Sequence, residues 1–549
     1  MFSPLQKARL EYKPRLPKAL RNPLLLEIQK GEPTQAYADI DELKKLFEKS
    51  FSQPIVSFVQ KDKGKEYQPV KIGVVFSGGQ AAGGHNVIAG LFDALKTFHP
   101  NSDLIGFANG PSGIIDNKTI PITEKLLASY RNQGGFDLLG SGRTKIETDQ
   151  QLQASLKTAK DLSLDGIVII GGDDSNTNAA ILAEYFLKNG CSTKVIGVPK
   201  TIDGDLQNEY VDISFGFDTA CKTYAEMIGN IARDSLSAKK YYHFVKLMGR
   251  SASHIALECA LKTQPNMVII AEEVADNDKT LKEVTKEIAD LICKRAESKK
   301  NYGIILIPEG LIEFIPEIKL LISELNSHLS ESSDHFEAFN KLNSSEDKIK
   351  WVFDTLSNKA KTTFSTLPKV IQEQLLLDRD PHGNVQVSKI ETEKLLLETV
   401  KKELKNRKDF KGKFNAQCHF FGYEGRAGLP SNFDAEYCYA LGFVATLLVY
   451  HGLTGYMSCV SNLTKPIDEW EIKGLPITMM MNMEMRKGKK KPVIKKALVD
   501  LKGKAFQELK SSSEKWQIED LFICPGPIQF FGDSSLIDVP PLILTLKSL

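Results

Sequence analysis

The stretch Val70–Phe98, VKIGVVFSGGQAAGGHNVIAGLFDALKTF, decides the fold. Its first seven residues form a short apolar run, the length of a buried strand. SGGQAAGG follows as a glycine-rich turn, and HNVIAGLFDALKTF carries apolar residues at helical spacing. Strand, turn and helix in that order open an α/β unit. The same grammar recurs at Leu164–Gly190, LDGIVIIGGDDSNTNAAILAEYFLKNG, and at Tyr242–Thr263, YHFVKLMGRSASHIALECALKT. Further apolar runs stand at Lys194–Pro199, Asn266–Glu273, Tyr302–Gly310 and Asn415–Gly425. Strands alternating with helices of about 10–15 residues predict a mostly parallel α/β sheet, and this many strands predict two sheets.

The chain has 549 residues, enough for about three or four units of ordinary size. Residues 1–68 read as an N-terminal extension: several prolines, one helical pattern, then a polar stretch. Residues 69–235 read as a first α/β domain, completed by part of 430–500. Residues 236–310 and 413–430 read as a second. Between its halves, 311–412 reads as a mainly helical insertion, because IPEIKLLISELNSHL and ETEKLLLETVKKELKNR place apolar residues at helical spacing with charged faces. Residues 500–549 form a C-terminal segment. No simple repeat stands out.

Composition excludes several classes. Hydrophobic residues at 42% and charged residues at 26% are globular values. Lys and Arg number 71 against 69 Asp and Glu, so the net charge of +2 offers no general attraction to nucleic acid or an anionic membrane. Tyr437–Thr464 carries no Asp, Glu, Lys or Arg, but its His451, Asn462 and the break HGLTG fit a buried helix and strand better than a membrane span. The first twenty residues place charges and prolines where a secretory signal needs an apolar core. Eight cysteines stand singly without a CxxC pair, which suits reduced thiols in a cytoplasmic enzyme. The nine histidines show no metal-binding spacing.

In open α/β sheets ligands bind at the carboxyl ends of strands, and the polar clusters of this chain follow its strands. Ser77, Gly78, Gly79, Gly83 and Gly84 let the backbone approach an anion, although a purely structural turn reads the same way. GGDDSN, Gly171–Asn176, sets Asp173 and Asp174 where an anion would otherwise bind, which points to Mg²⁺ shared between carboxylate and phosphate oxygens. The alternative is a pair of helix N-caps. PKTIDGDL, Pro199–Leu206, joins Lys200 and Thr201 to Asp203 and Asp205 around a glycine. A lysine beside carboxylates suits phosphoryl transfer, which needs charge stabilisation and a base for an alcohol. The basic run Arg486–Lys496 reads as a solvated face, or as a surface that steers polyanions.

SGGQAAGGHN, GGDDSNTNAA, PKTIDGDL, SFGFDTA, MGRSASH, PEG and GYEGR stand here in the order found in the phosphofructokinase family. The chain resembles its long pyrophosphate-dependent group, the diphosphate–fructose-6-phosphate 1-phosphotransferases. The resemblance covers about Val70 to Met457. It implies two Rossmann-like three-layer α/β domains with the active site in a cleft between them, and phosphoryl transfer from pyrophosphate to the 1-hydroxyl of fructose 6-phosphate. It implies that Gly79 touches the diphosphate, Asp173 holds Mg²⁺, and Asp203 takes the hydroxyl proton, with Thr201 and Ile202 lining the same loop. Met248, Gly249, Arg250 and Glu309 are implied to bind the sugar phosphate, and Tyr423, Glu424, Gly425 and Arg426 to close over it. Arg143 in GSGRTK matches the arginine that reaches the phosphates. Lys240 and Tyr241 fall where residues enter a neighbouring subunit's site, which implies a homodimer or higher homo-oligomer with shared sites.

Asp174 and Lys200 replace glycines of the GGDGS and PGTID patterns typical of ATP-dependent relatives. Asp174 adds charge and bulk where the α-phosphate of ATP would pass, and Lys200 supplies a cation for a small donor. Tyr241 stands where those relatives carry Arg. The rival readings are an ATP-dependent sugar-phosphate kinase, a non-catalytic regulatory subunit of the same fold, and a dinucleotide dehydrogenase, whose GxGxxG is missing from the first turn. Sedoheptulose 7-phosphate stays open as an acceptor.

Overall fold

A computed structural model describes residues 2–329, 338–377, 385–486 and 489–547. The first strands are β1 (Leu26–Pro33), β2 (Pro54–Gln60), β3 (Lys71–Phe76), β4 (Asp103–Phe107), β5 (Thr119–Ile122), β6 (Gly166–Gly171) and β7 (Lys194–Pro199). A second sheet takes β8 (Tyr242–Leu247), β9 (Met267–Val268), β10 (Gly303–Pro308) and β11 (Ala416–Phe421). The chain then returns to the first sheet with β12 (Tyr456–Ser461) and β13 (Glu471–Pro476). A hairpin follows, β14 (Met481–Arg486) and β15 (Lys489–Ile494).

The first sheet runs β1-β2-β13-β12-β7-β6-β3-β4-β5. Its middle, β12-β7-β6-β3-β4, is parallel, and both flanks are antiparallel. The chemistry of the strands explains this. β6, GIVIIG, is buried along its whole length, as a parallel strand covered on both faces must be. From β3 the chain moves to β4 on one side, and from β6 to β7 on the other. The topological switch therefore lies between β3 and β6, where an open sheet offers its crevice for ligands. The second sheet, β11-β8-β10-β9, is parallel throughout.

The uncharged stretch becomes the buried helix Asn432–Tyr450 and the buried β12. That helix packs on Gly84–Phe98. Gly90 and Gly442 permit the approach: a Cβ on either would overlap the other helix's backbone. Among the described residues no helix is long and apolar enough to cross a membrane.

The chain divides into two units: Met1–Ala220, Glu424–Ala497 and Ile528–Ser548 in the first, Cys221–Tyr423 and Leu498–Pro527 in the second. This division differs from the boundaries expected above. Residues 1–68 are no appendage, because β2 pairs with β13 and β1 pairs with β2, continuing the sheet past an edge that would otherwise expose open backbone groups. Ahead of them, Arg9 is fully buried and donates to Asn432 Oδ1 at 2.7 Å and Pro430 O at 3.3 Å. Tyr12 and Arg15 both donate to Glu436. The first stretch of the first unit ends at Ala220, inside the helix Phe217–Ala238, and not at 235.

Residues 311–412 share one core with the second sheet: Phe244, Ile305 and Ile307 pack in the same cluster as Leu321, Phe364, Leu396 and Val400. The apolar faces of their helices are buried there, so they complete the unit. Of the expected insertion, 330–337 and 378–384 lie outside the described residues, as do 487 and 488 of the basic run. The expected strand at Asn266–Glu273 shrinks to two residues before the helix Ala271–Asp276. The final segment is shared, with the helix Lys504–Ile518 in the second unit and Ile528–Ser548 in the first.

Candidate active site

Three loops of the first unit meet at the switch point. Ser77 N–H donates to Ile170 O at 2.9 Å, and Ser175 Oγ donates to Ser77 Oγ at 2.8 Å, tying the turn after β3 to the helix after β6. Gly78 N–H donates to Gly142 O at 2.9 Å, which holds the Gly140–Lys145 segment beside the turn. Lys200 N–H donates to Gly171 O at 3.0 Å, which brings in the loop after β7. Asn176 locks the junction by donating to Gly171 O at 2.6 Å and Gly172 O at 2.9 Å.

Neither aspartate of GGDDSN caps the helix Asp173–Lys188. Gly172 is the N-cap, and Asp173 and Asp174 occupy the first turn, where the helix dipole favours a carboxylate. The capping alternative is thereby excluded. Asp173 Oδ2 is buried and accepts no hydrogen bond; it faces Lys496 Nζ at 3.4 Å. Asp174 Oδ1 pairs with Lys145 Nζ at 3.2 Å.

In the next loop Asp203 N–H donates to Thr201 Oγ1 at 3.1 Å, and Ser214 Oγ donates to Thr201 O at 2.8 Å. Ile202 and Asp205 are buried. Burial, and then the charge of Asp203, push the Asp205 carboxyl up to about 7, against the pull of Lys496. Lys200 is 4% exposed. Burial lowers its ammonium to about 7, with Arg426 and Arg143 adding to the fall and Asp203 and Asp173 opposing it. Those five charges therefore feel one another around one spot. Gly79 lies against Arg426: a Cβ there would overlap the guanidinium, whose Nε donates to Gln80 O at 2.9 Å.

SFGFDTA acts as a brace. Asp434 Oδ1 accepts from Gly216 N–H at 2.9 Å, and Oδ2 accepts from Thr219 N–H at 2.9 Å and Thr219 Oγ1 at 2.6 Å. Burial and the nearby Asp218 raise Asp434 to about 7.

A magnesium ion fits these residues in one way only. Among the described residues no cluster of three or more His, Cys, Asp or Glu could hold a metal. A buried carboxylate oxygen without a hydrogen bond, with Asp203 and Asp205 close enough to couple electrostatically, suits Mg²⁺ that draws its remaining ligands from substrate phosphates and water.

In the second unit, Met248 N–H donates to Phe421 O at 2.9 Å. Gly249 turns the chain at φ +130°, in the left-handed region, and donates its N–H to Glu309 Oε2 at 3.0 Å. Glu309 is buried, so PEG positions a carboxylate under the Met248–Arg250 turn. Lys240 and Tyr241 are not brought there. They are exposed at the opposite end of the six-residue β8, roughly 20 Å away along the strand. The motif Tyr423–Arg426 is split between the units: Tyr423 is 70% exposed in the second, while Glu424, Gly425 and Arg426 belong to the first.

Lys496 is the site residue that sequence reasoning missed. Its signal was the basic run, in which Lys490 pairs with Glu42, Lys491 with Glu147, and Lys495 stacks on Tyr37. Lys496 alone of these four turns inward, to Asp173 and to Asp205 Oδ2 at 3.8 Å.

Residues 71–449 match the phosphofructokinase family model. A Treponema pallidum protein named pyrophosphate–fructose 6-phosphate 1-phosphotransferase is 51% identical, across 100% of this chain and 97% of its own length. A Solanum tuberosum protein named as the beta subunit of that enzyme is 52% identical, across 97% of this chain and 92% of its own. Among solved structures, a pyrophosphate-dependent phosphofructokinase from Marinobacter aquaeolei superposes with a TM-score of 0.52 at 15% identity, covering 82% of this chain and 93% of that one, which is a likeness of fold. The ordered motifs, the loops they build and these matches lead to one conclusion: the chain belongs to the phosphofructokinase family.

Proposed function

We propose that the protein transfers a phosphoryl group from pyrophosphate to the 1-hydroxyl of fructose 6-phosphate, giving fructose 1,6-bisphosphate and orthophosphate in a reversible reaction. Relatives of that name are about half identical over essentially the whole chain. The observation that carries the reading is Lys200: a buried ammonium beside the glycine turn, among Asp173, Asp203, Arg143 and Arg426. A cation is costly to bury unless a polyanion comes to meet it.

Asp203 is read as the general base. It accepts the proton of the sugar hydroxyl as that oxygen bonds to phosphorus, and the bond to the bridging oxygen breaks to release orthophosphate. Lys200, Arg143 and Arg426 stabilise charge on the donor, with Gly79 in contact with it. Asp173 is read as the Mg²⁺ ligand; the bound ion neutralises charge on the donor oxygens. Thr201 and Ile202 shape the loop, and the buried Asp205 is read with the donor-side groups. Met248, Gly249, Arg250 and Glu309 are read as the sugar-phosphate groups, with Tyr423 and Glu424 closing over the acceptor.

Lys240 and Tyr241 are read as serving a neighbouring subunit's site, which makes the enzyme a homo-oligomer. Their distance along β8 from Met248–Arg250 supports this. A cytoplasmic location completes the reading. Asp174 is read as excluding ATP. One assay tests the whole: purified chain, fructose 6-phosphate and Mg²⁺, with pyrophosphate against ATP. Fructose 1,6-bisphosphate should form with pyrophosphate; formation with ATP alone overturns the proposal.

A further inference from the structure

We infer that Lys496 belongs to the donor site: in the ligand-free protein its ammonium holds the place between Asp173 and Asp205, and it turns to a donor phosphate oxygen when a divalent cation takes Asp173. The inference rests on the reading of Asp173 as the metal ligand.

The backbone around Lys496 is fixed on both sides. Ile494 N–H donates to Thr177 Oγ1 at 3.2 Å, on the same helix face one turn after Asp173. Lys495 N–H donates to Met480 O at 2.9 Å. Ala497 N–H donates to Asp205 O at 2.8 Å. The strand end is thus stitched to the helix of one carboxylate and the loop of the other, and the side chain between them has little choice of direction. Its Nζ lies 3.4 Å from Asp173 Oδ2 and 3.8 Å from Asp205 Oδ2, with the side chain 28% exposed.

Electrostatics supplies the rest. Asp205 feels the negative charges of both Asp203 and Asp173. That repulsion falls in a poorly solvated pocket, and Lys496 adds a cation beside Asp173 and Asp205 to the one that Lys200 sets near Asp173 and Asp203. A divalent ion on Asp173 would repel the ammonium at this distance. The chain that carries Lys496 is pinned, so only the side chain can answer, and a polyanionic donor arriving with the metal is the nearest new partner.

The test uses the full-length protein. Mn²⁺ affinity is measured by electron paramagnetic resonance without substrate, and KM for pyrophosphate is measured under saturating Mg²⁺. Lys496→Met should tighten Mn²⁺ binding about tenfold, the size of a modest coupling between two ligands. It should raise KM for pyrophosphate by a similar factor, and Lys496→Arg should restore both toward wild type. Should Lys496→Met fail to fold by circular dichroism, Lys496→Gln is measured in its place. Asp173→Asn should abolish Mn²⁺ binding in either background. Unchanged or weaker Mn²⁺ binding in the Lys496 variant, with Asp173→Asn still abolishing it, overturns the role of Lys496 alone. Mn²⁺ binding that survives Asp173→Asn overturns Asp173 as the metal ligand.

Discussion

Replacing Lys200 with Met should make the ligand-free protein more stable and the enzyme far slower. The methionine keeps the length of the side chain and removes the charge. In the folded protein the Lys200 ammonium is held down to about 7, against 10.5 for an exposed lysine. The unfolded chain therefore binds this proton more tightly between those values. Below pH 7 folding carries the full cost of a buried cation; above it the cost fades toward pH 10.5. At pH 7 that cost is about 4 kcal/mol, and at pH 9.5 about 1 kcal/mol. Lys200→Met should recover most of it at pH 7 and little at pH 9.5. Urea unfolding of the ligand-free protein at the two pH values reads this as an upward shift of the midpoint that shrinks in alkali. The same substitution removes a charge directed at the transferring phosphoryl group, which is worth about 3 kcal/mol, or roughly a hundredfold in turnover with pyrophosphate. The loss should fall on kcat more than on KM. A variant no more stable than wild type at pH 7, with turnover intact, would refute the account of Lys200 as a charge stored for the donor.

Asp203→Ala chains should lose about 10²–10⁴ in rate. Mixed with Lys240→Ala chains, also inactive alone, they should regain activity as hybrids form; no gain despite demonstrated subunit exchange speaks against shared sites. Asp174→Gly should admit ATP as a slow donor, since it removes a carboxylate that pairs with Lys145 in the free protein; turnover assays with both donors decide, and strict retention of pyrophosphate counts against its excluding role. His85 is buried and neutral: its ring pairs with Gln133 O at 3.2 Å through Nδ1, and burial lowers it to about 4 from 6.5. The unfolded chain takes up that proton first, so stability should fall by about 3 kcal/mol from pH 6.5 to pH 4 on this account. His85→Gln should flatten that part of the profile in urea titrations, and an unchanged slope would rule His85 out as its source.

The loops of the candidate site were legible because they are local. A strand, a glycine-rich turn and a helix N-terminus follow one another within about twenty residues, and the side chains that such a unit presents at its carboxyl end are set by neighbours in sequence. Ser77–Gly84, Asp173, Asp174 and Lys200–Asp205 were therefore readable as three loops with one kind of chemistry. The parallel α/β class was readable for the same reason: β6, and β7 after Lys194, are apolar and buried, as parallel strands covered on both faces must be.

What only the tertiary structure decided depends on pairing between distant segments. Nothing in Pro54–Gln60 announces that it will pair with β13, because an edge accepts any strand of suitable register and the partner is chosen by where both ends of the chain arrive. Whether Asp173 and Asp174 capped their helix rested on backbone angles at Gly172. Arg426 beside Gly79 and Lys496 beside Asp173 are contacts between the two ends of the first unit, made after the chain has passed through the whole second unit. A lysine in a run of lysines has no local feature to mark it. Only the stitching of the backbone beside it to Thr177 and Asp205 turns Lys496 toward the site, while Lys490, Lys491 and Lys495 stay outside.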